Sequence, residues 1–173
     1  MIAILSGTRR FEEMEKMLIG PHPEIAFEDL WETNVLEHLI PELHACKGVA
    51  QPGAMHEEGD VWSHILRVIA SFTDDHGADV RWAALLHDVG KPKTFSIDEE
   101  RIRFNEHASV GARLARRILD DLQCPSRRRD KISWLIEHHM MMGGFREMQN
   151  ERKGHWYHHP WFLELLQVFF LDI

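Results

Sequence analysis

The sequence of 173 residues is poor in cysteine and has no long apolar run. Its two cysteines, Cys46 and Cys124, lie far apart and form no CxxC pair, so neither a disulfide framework nor a zinc ribbon is indicated. The start "MIAILSGTRR" is too short an apolar run for a signal peptide, and Glu164 and Gln167 interrupt the most apolar stretch. We therefore expect a cytoplasmic protein that does not enter a membrane.

An excess of basic residues is also missing. The chain carries 20 Lys and Arg against 28 Asp and Glu, a formal charge of −8, which argues against DNA as a partner. One basic cluster does occur, and it consists of Arg113, Arg116, Arg117, Arg127, Arg128, Arg129 and Lys131. It is either a solvated face or a patch for RNA or nucleotide phosphates, and the net acidity favours the solvated face.

The sequence lacks the motifs of phosphate-binding α/β proteins. The "GK" at 90–91 has neither the upstream glycine nor the following Ser or Thr of a P-loop, and GxGxxG and GxSxG are absent. Strand-like alternation is missing too, apart from a short hairpin expected around residues 97–104. Apolar residues recur at helical spacing instead. We predict one all-α domain with helices near residues 8–18, 23–39, 60–72, 79–90, 105–122, 126–140 and 159–172.

Histidine, by contrast, is abundant, with thirteen residues. The most informative stretch is "RWAALLHDVGKPKTF", where His87 and Asp88 follow an apolar helical run and Gly90 is expected to end the helix. Imidazole and carboxylate are good ligands for Mn²⁺, Fe or Zn²⁺, but further ligands must come from neighbouring helices. The candidates at or near the ends of other apolar runs are His64, His107, His138, His139 and Asp172.

Each candidate has an ordinary alternative. A single histidine on an apolar helix is more often a core or surface residue than a ligand, and a His-Asp pair can simply neutralise a helix end. The recurrence of such residues on four successive apolar helices favours a metal site. Asp60, four residues before His64, is expected to be an N-cap, with an orienting contact to His64 as the alternative. Glu57 and Glu58 are most simply surface acids.

The order His64 … His87-Asp88 … Asp172, with the words "HDVGKP", resembles the HD superfamily of metal-dependent phosphohydrolases. The stretches "LIPELHACKGVAQ", "HEEGDVWSHIL", "RIRFNEHASVGARLARRIL", "LIEHHM" and "HPWFLELLQVFFLD" resemble, in order, the neck and HD region of bacterial tRNA nucleotidyltransferases and poly(A) polymerases. The similarity covers about residues 9–172. It implies an HD-domain helical bundle over residues 46–173, with neck-like helices over residues 1–45 packed on it.

The resemblance also implies roles for the candidate residues. The first metal site would consist of His64, His87, Asp88 and Asp172. A second site would share Asp88 and add His107 and His138, with His139 as the alternative to His138. Catalysis would involve Asp88 and Lys91, although Lys91 could equally be a solvated lysine at a helix end. The cofactor would be one or two divalent ions of Mn, Fe, Ni, Zn or Mg.

The implied activity is that of a phosphatase, nucleotidase or cyclic phosphodiesterase acting on a nucleotide or RNA-end phosphate ester. Nucleotide addition is not implied, because nothing resembles the glycine-rich turn and paired catalytic aspartates of the nucleotidyltransferase head. One alternative is a catalytically idle module that binds nucleotide or RNA. Another is a cyclic-dinucleotide phosphodiesterase of the HD-GYP type, which is disfavoured because "HHMMMGGFREM" lacks that family's extension.

Overall fold

Helices dominate the structure, a computed structural model that describes residues 5–51 and 59–173. The predicted surface acids Glu57 and Glu58 lie outside the described residues. The helices α1 to α11 span, in chain order, Gly7–Ile19, Pro23–Glu32, Val35–Leu39, Pro41–His44, Val61–Ala70, Ala78–Leu86, Lys91–Thr94, His107–Asp121, Ser126–His138, Asn150–Tyr157 and Phe162–Asp172. The other elements are β1 (Phe95–Asp98), β2 (Arg101–Phe104) and a 3₁₀ segment (His139–Gly144). The all-α prediction is confirmed.

The N-terminal helices pack on the rest of the molecule through α1, which contacts α6, and through α2, which contacts α5. The helix α1 begins where the Ser6 hydroxyl accepts a hydrogen bond from the backbone N–H of Arg9, at 3.2 Å. Its buried face includes Phe11 and Leu18, and Phe11 stacks on Trp82 of α6 with ring centres 5.0 Å apart. The division between a neck and a main domain at residues 45 and 46 stays a prediction.

The single helix predicted over residues 23–39 is wrong, because the structure has two helices there, α2 and α3. The break between them consists of Thr33 and Asn34. The Thr33 hydroxyl donates a hydrogen bond to the Asp29 carbonyl at 2.7 Å. Asn34 then adopts a left-handed conformation with φ of 58°, which asparagine tolerates better than most residues. The apolar spacing continues across the break and therefore conceals it in the sequence.

The central helix of the fold is α6. Every residue from Val80 to Leu86 is buried, and α6 contacts α1, α5, α9 and α11. A helix that is apolar on nearly all sides must be surrounded by other elements. The residues that follow its C-terminal end, His87 and Asp88, are therefore delivered into the interior, and both are buried.

Gly90 has a different role from the predicted helix cap. The helix α6 ends earlier, at Leu86, and Pro92 lies in the first turn of α7. The φ of Gly90 is −78°, so this residue is not left-handed. A Cβ atom here would lie 2.1 Å from the carbonyl oxygen of His107 and 2.7 Å from the backbone nitrogen of Gly111. Glycine is needed because α8 approaches the chain closely at this point.

The predicted hairpin is confirmed as the antiparallel pair β1 and β2, in which Phe95 lies opposite Phe104. Glu99 and Glu100 form its turn, and both have positive φ, 45° and 63°, as in the two-residue turns that match the twist of paired strands. The hairpin directly precedes α8, and β2 contacts α7. It therefore lies beside the end of α6.

The helix α10 is not predicted by the sequence pattern. It buries no residue and so has no apolar face from which helical spacing can be read. In the described parts of the chain, no helix is both long and apolar enough to cross a membrane.

Candidate metal centre

Three helices bring the residues of the predicted first metal site together. His64 lies on α5, and Asp60 caps that helix by accepting a hydrogen bond at 2.8 Å from the backbone N–H three residues later, as predicted. His87 and Asp88 follow α6, and Asp172 is the last residue of α11. These elements surround one end of the central helix.

The donor atoms of these residues, the first cluster, all lie within 4.8 Å of one another, and its members are His64, His87, Asp88 and Asp172. His64 Nε2 is 2.9 Å from Asp172 Oδ1 and 3.2 Å from His87 Nε2. His87 Nε2 is in turn 3.1 Å from Asp88 Oδ2 and 3.1 Å from Asp172 Oδ1. The structure thus brings all four predicted ligands of the first site into one group.

A second cluster consists of Asp88, His107 and His139. His107 Nε2 lies 3.3 Å from His139 Nε2 and 3.6 Å from Asp88 Oδ1. Asp88 therefore faces the first cluster with Oδ2 and the second with Oδ1. This is the arrangement expected of a carboxylate shared by two metal sites.

His138 does not join the second cluster, and the preference for it over His139 is corrected. The His138 ring stacks on Trp134 with centres 4.5 Å apart, and its Nδ1 lies 2.8 Å from the Trp134 carbonyl oxygen. His139 is completely buried, and its ring centre is 5.3 Å from that of His107. Successive residues at a helix end point about 100° apart, so only one of the two histidines can face Asp88.

The histidine rings of the clusters are oriented by the backbone. His87, His107 and His139 each direct Nδ1 at the carbonyl oxygen three residues earlier, at 2.7, 2.9 and 2.7 Å. A carbonyl oxygen only accepts hydrogen bonds, so Nδ1 carries the proton and the lone pair of a neutral ring resides on Nε2. In all three rings Nε2 points into a cluster, and hydrogen bonding through the opposite nitrogen is typical of metal-bound histidine.

Asp88 is the most constrained residue of the site. It is 1% exposed, and neither of its oxygens accepts a well-formed hydrogen bond from the described residues, although Lys91 Nζ lies 2.6 Å from Oδ2. Burial raises the pKa of Asp88, but His87 and Lys91 outweigh this effect and hold its pKa well below the usual range. Asp88 is therefore a buried carboxylate that is ionised and has free lone pairs.

The pKa values of the cluster histidines shift in opposite directions, because burial and the neighbouring charges act on them to different extents. Burial lowers the pKa of His87, but Asp88 and Asp172 outweigh it and raise the pKa to about 10. Burial, together with the nearby charge of His87, lowers the pKa of His139 to about 4. Burial also lowers the pKa of His107. At pH 7 His107 and His139 are therefore neutral, and His87 holds a proton that a bound cation would have to displace.

The donor set fits a divalent metal ion. Two atoms that each lie about 2.1 Å from one ion are roughly 3.0–3.4 Å apart. Four separations in the first cluster lie between 2.9 and 3.2 Å, and the fifth, from His64 Nε2 to Asp88 Oδ2, is 3.7 Å. Asp88 and Asp172 supply two negative charges. Imidazole ligands suit Zn, Fe and Ni, whereas Mg prefers an all-oxygen environment, so the mixed set favours a transition metal.

An open cavity of about 410 Å³ adjoins both clusters. Lys91 lies in its wall, where its ammonium group donates a hydrogen bond to Gln51 and sits 5.4 Å from the centre of the Phe104 ring. The wall residues that sequence reasoning missed are Gln51, Ile102, Arg103, Phe104, Asn105 and Met140. No motif marks them, because they become neighbours of the clusters only in the folded chain.

The basic cluster predicted as a solvated face is largely engaged in ion pairs. Arg128 pairs with Glu15 and Asp79, the latter at 2.7 Å. Arg129 pairs with Asp120 at 2.5 Å. These contacts join different helices, so they favour a structural role for this face over an RNA patch.

Two family models match the chain. The model of the HD domain matches residues 61–155, which include His64, His87, Asp88, His107 and His139. A model described as the probable RNA and SrmB-binding site of polymerase A matches residues 1–47. Together the two matches cover residues 1–47 and 61–155.

Curated relatives are similar over most of the chain. The multifunctional CCA protein of Pseudomonas syringae pv. syringae is 34% identical over 122 residues, 70% of this chain and 29% of the relative. The protein of the same name from Pasteurella multocida is 33% identical over 141 residues, 78% of this chain and 33% of the relative. The chain thus spans about a third of the length of the curated relatives it matches.

Proposed function

The chain belongs to the HD domain family, and from that membership we propose that it is a divalent-metal-dependent phosphohydrolase acting on a phosphate ester of a nucleotide or RNA end. The family model covers more than half of the chain, and the relatives agree with the resemblance to tRNA nucleotidyltransferases. The observation that carries the proposal is the convergence of His64, His87, Asp88 and Asp172 on one buried point.

The first cluster would hold one ion, and Asp88, His107 and His139 would hold a second. When bound, divalent ions supply Lewis acidity to a phosphoryl group and lower the pKa of water. The protein's own contribution is preorganisation: backbone carbonyls hold three of the imidazoles by Nδ1, and His87, Asp88 and His139 are buried. Asp88 is assigned the central role because it alone belongs to both clusters.

Lys91 is assigned to the substrate phosphate. Its Nζ is 2.6 Å from Asp88 Oδ2 and lines the open cavity, so it presents a positive charge where a phosphate beside the clusters would lie. An ammonium group acts on phosphate as a point charge and needs no fixed angle. The same group favours the ionised form of Asp88.

A catalytically idle module that binds nucleotide or RNA is the second candidate. It is favoured by the match of residues 1–47 to an RNA-binding region. The complete donor sets of both clusters count against it, since binding alone does not require three oriented imidazoles around a buried carboxylate.

The test is a hydrolysis assay with purified protein supplemented in turn with Mn²⁺, Fe²⁺, Ni²⁺, Zn²⁺ and Mg²⁺. The substrates are nucleoside mono-, di- and cyclic phosphates and RNA ends. We expect turnover of at least one class, a loss of at least about a hundredfold in kcat/KM for Asp88→Asn because metal assistance contributes several kcal/mol, and near-normal activity for His138→Ala. Nucleotide or RNA binding without turnover under any metal would identify the idle module instead.

A further inference from the structure

The cavity beside the clusters has an apolar side as well as a charged one. The charged side is formed by Lys91 and by Asp88 and other cluster residues. The apolar side chains of the lining are Ile102 and Phe104 from the hairpin and Met140 from the 3₁₀ segment, and Met140 is 53% exposed. Phosphate binding alone has no use for an apolar wall, so these side chains call for a ligand that is partly apolar.

The hairpin presents this wall through its strand geometry. Alternate residues of a strand point to the same face, so Ile102 and Phe104 share one face of β2 while Arg101 and Arg103 share the other. The structure agrees, because Ile102 and Phe104 are half-buried and the two arginines are exposed. Ile102 and Phe104 line the cavity, and the exposed Arg103 also borders it.

The aromatic ring of Phe104 lies close to the predicted phosphate position. Lys91 Nζ is 5.4 Å from the centre of the Phe104 ring and 2.6 Å from Asp88 Oδ2. A ligand that reaches both the ring and the clusters therefore needs a flat apolar group joined to a phosphate by a short polar spacer. A base, a sugar and a phosphate have this order in a nucleotide.

We propose that the cavity recognises the base of its substrate by stacking on Phe104, with Ile102 and Met140 as the apolar surroundings and with the phosphate held at Lys91 and the ligand clusters. The inference rests on the proposed function and adds a recognition element to it: an ester that carries an aromatic base should bind more tightly than the same ester without one. Stacking on a phenyl ring accepts every base, because each has a π-face. We therefore expect little discrimination among the four bases.

Phe104 also has a backbone role that any test must separate from stacking. Its carbonyl oxygen lies 2.9 Å from Nδ1 of His107 and so orients a member of the second cluster. Replacing the side chain by leucine keeps this carbonyl and an apolar side chain but removes the ring. The effect of Phe104→Leu on a base-free substrate then reports any disturbance of the cluster.

The experiment compares the metal-loaded 173-residue chain and its Phe104→Leu variant on two kinds of ester. One is adenosine monophosphate, as its 2′, 3′ and 5′ isomers, and the other is ribose 5-phosphate, which has no base. We expect Phe104→Leu to raise KM for the best adenosine monophosphate about tenfold and to change KM and kcat for ribose 5-phosphate less than twofold. Equal effects on both esters would overturn the stacking role.

Phe95→Leu is the matched control. Phe95 lies opposite Phe104 in the hairpin, with ring centres 5.9 Å apart, and it does not line the cavity. We expect this variant to keep the wild-type KM for both esters, within twofold. A KM increase for adenosine monophosphate as large as that of Phe104→Leu would show that hairpin stability, not stacking, is responsible, and would overturn the inference.

Equilibrium titration by calorimetry separates this inference from the proposed function. One outcome is that adenosine monophosphate binds at least about tenfold more tightly than ribose 5-phosphate, that Phe104→Leu weakens this binding, and that no hydrolysis occurs. This outcome would support the base pocket and reject the hydrolase. Hydrolysis of both esters with equal KM would keep the hydrolase and overturn the base pocket. If the nucleotide is neither bound nor hydrolysed, both the base pocket and the hydrolase are rejected.

Discussion

At the scale of single residues, Asp88 explains why the site is built as it is. It is a buried, ionised carboxylate whose two oxygens face two different groups of histidines. The sequence alone could predict a special role for His87 and Asp88, because polar residues that directly follow the apolar run WAALL need partners when they are buried. It could not choose between His138 and His139, because that choice depends on which way the end of α9 is rotated towards Asp88.

The different surroundings of His138 and His139 allow a test of which histidine is a metal ligand. We predict that His139→Ala removes one metal ion per chain, or weakens its binding about 10- to 100-fold if water replaces the ligand. His138→Ala should bind metal like the wild-type protein, because its ring stacks on Trp134 outside both clusters. Metal titrations of both variants measure the number of bound ions and their affinity. A larger effect of His138→Ala would contradict the assignment of His139 as the ligand.

The protonation state of His87 yields a second prediction. Asp88 and Asp172 raise its pKa to about 10 in spite of burial, so this ring is protonated at pH 7 and must lose its proton to bind a cation through Nε2. We expect the first ion to release about one proton per chain and to bind more tightly as the pH rises from 6 to 9. Calorimetry in buffers of different ionisation enthalpy measures the release, and binding without proton release would contradict it.

At the scale of elements, the site depends on close packing around the end of α6. The helix could be predicted from its apolar run, and so could the hairpin from its alternating residues. The close contact between Gly90 and α8 could not, since a glycine after an apolar run is equally consistent with an ordinary helix cap. The role of the hairpin as a cavity wall was hidden too, because Ile102 and Phe104 are unremarkable strand residues.

The close approach at Gly90 predicts a steep cost for adding one methyl group. In Gly90→Ala the new Cβ would meet backbone atoms of His107 and Gly111, so we expect a loss of about 2–4 kcal/mol in the free energy of unfolding. Gly154→Ala is the control, since a Cβ there has open space within α10 and should be neutral or stabilise by roughly 0.5–1 kcal/mol. Urea unfolding measures both, and equal stabilities would refute the packing explanation.

At the scale of the whole molecule, contacts between distant segments join the N-terminal helices to the helix that carries the site. Glu15 of α1 accepts a hydrogen bond from Trp82 Nε1 of α6 at 2.9 Å and pairs with Arg128 of α9. Periodicity predicts that α1 has an apolar face, but it cannot identify the partner of a charged residue far away in the chain. The same limit applies to Asp172 and His64, which meet across 108 residues.

We predict that Glu15→Ala destabilises the protein by about 1–3 kcal/mol, because Trp82 and Arg128 both lose a partner that is partly buried. Glu12→Ala should change stability by less than about 0.5 kcal/mol, since Glu12 is exposed and lies 3.7 Å from its partner Arg9. The measurement is the midpoint of thermal unfolding of each variant, compared under the same conditions. Equal midpoints would mean that the contact between α1 and α6 does not depend on Glu15.

The central claim, a metal centre organised by Asp88, is tested most directly by elemental analysis of the purified protein and its Asp88→Ala variant after incubation with transition metals and gel filtration. We predict one or two ions per chain for the wild-type protein and none for Asp88→Ala, with helical circular dichroism retained in both. A wild-type protein that binds no metal, or an Asp88→Ala variant that keeps its full complement of ions, would contradict the account.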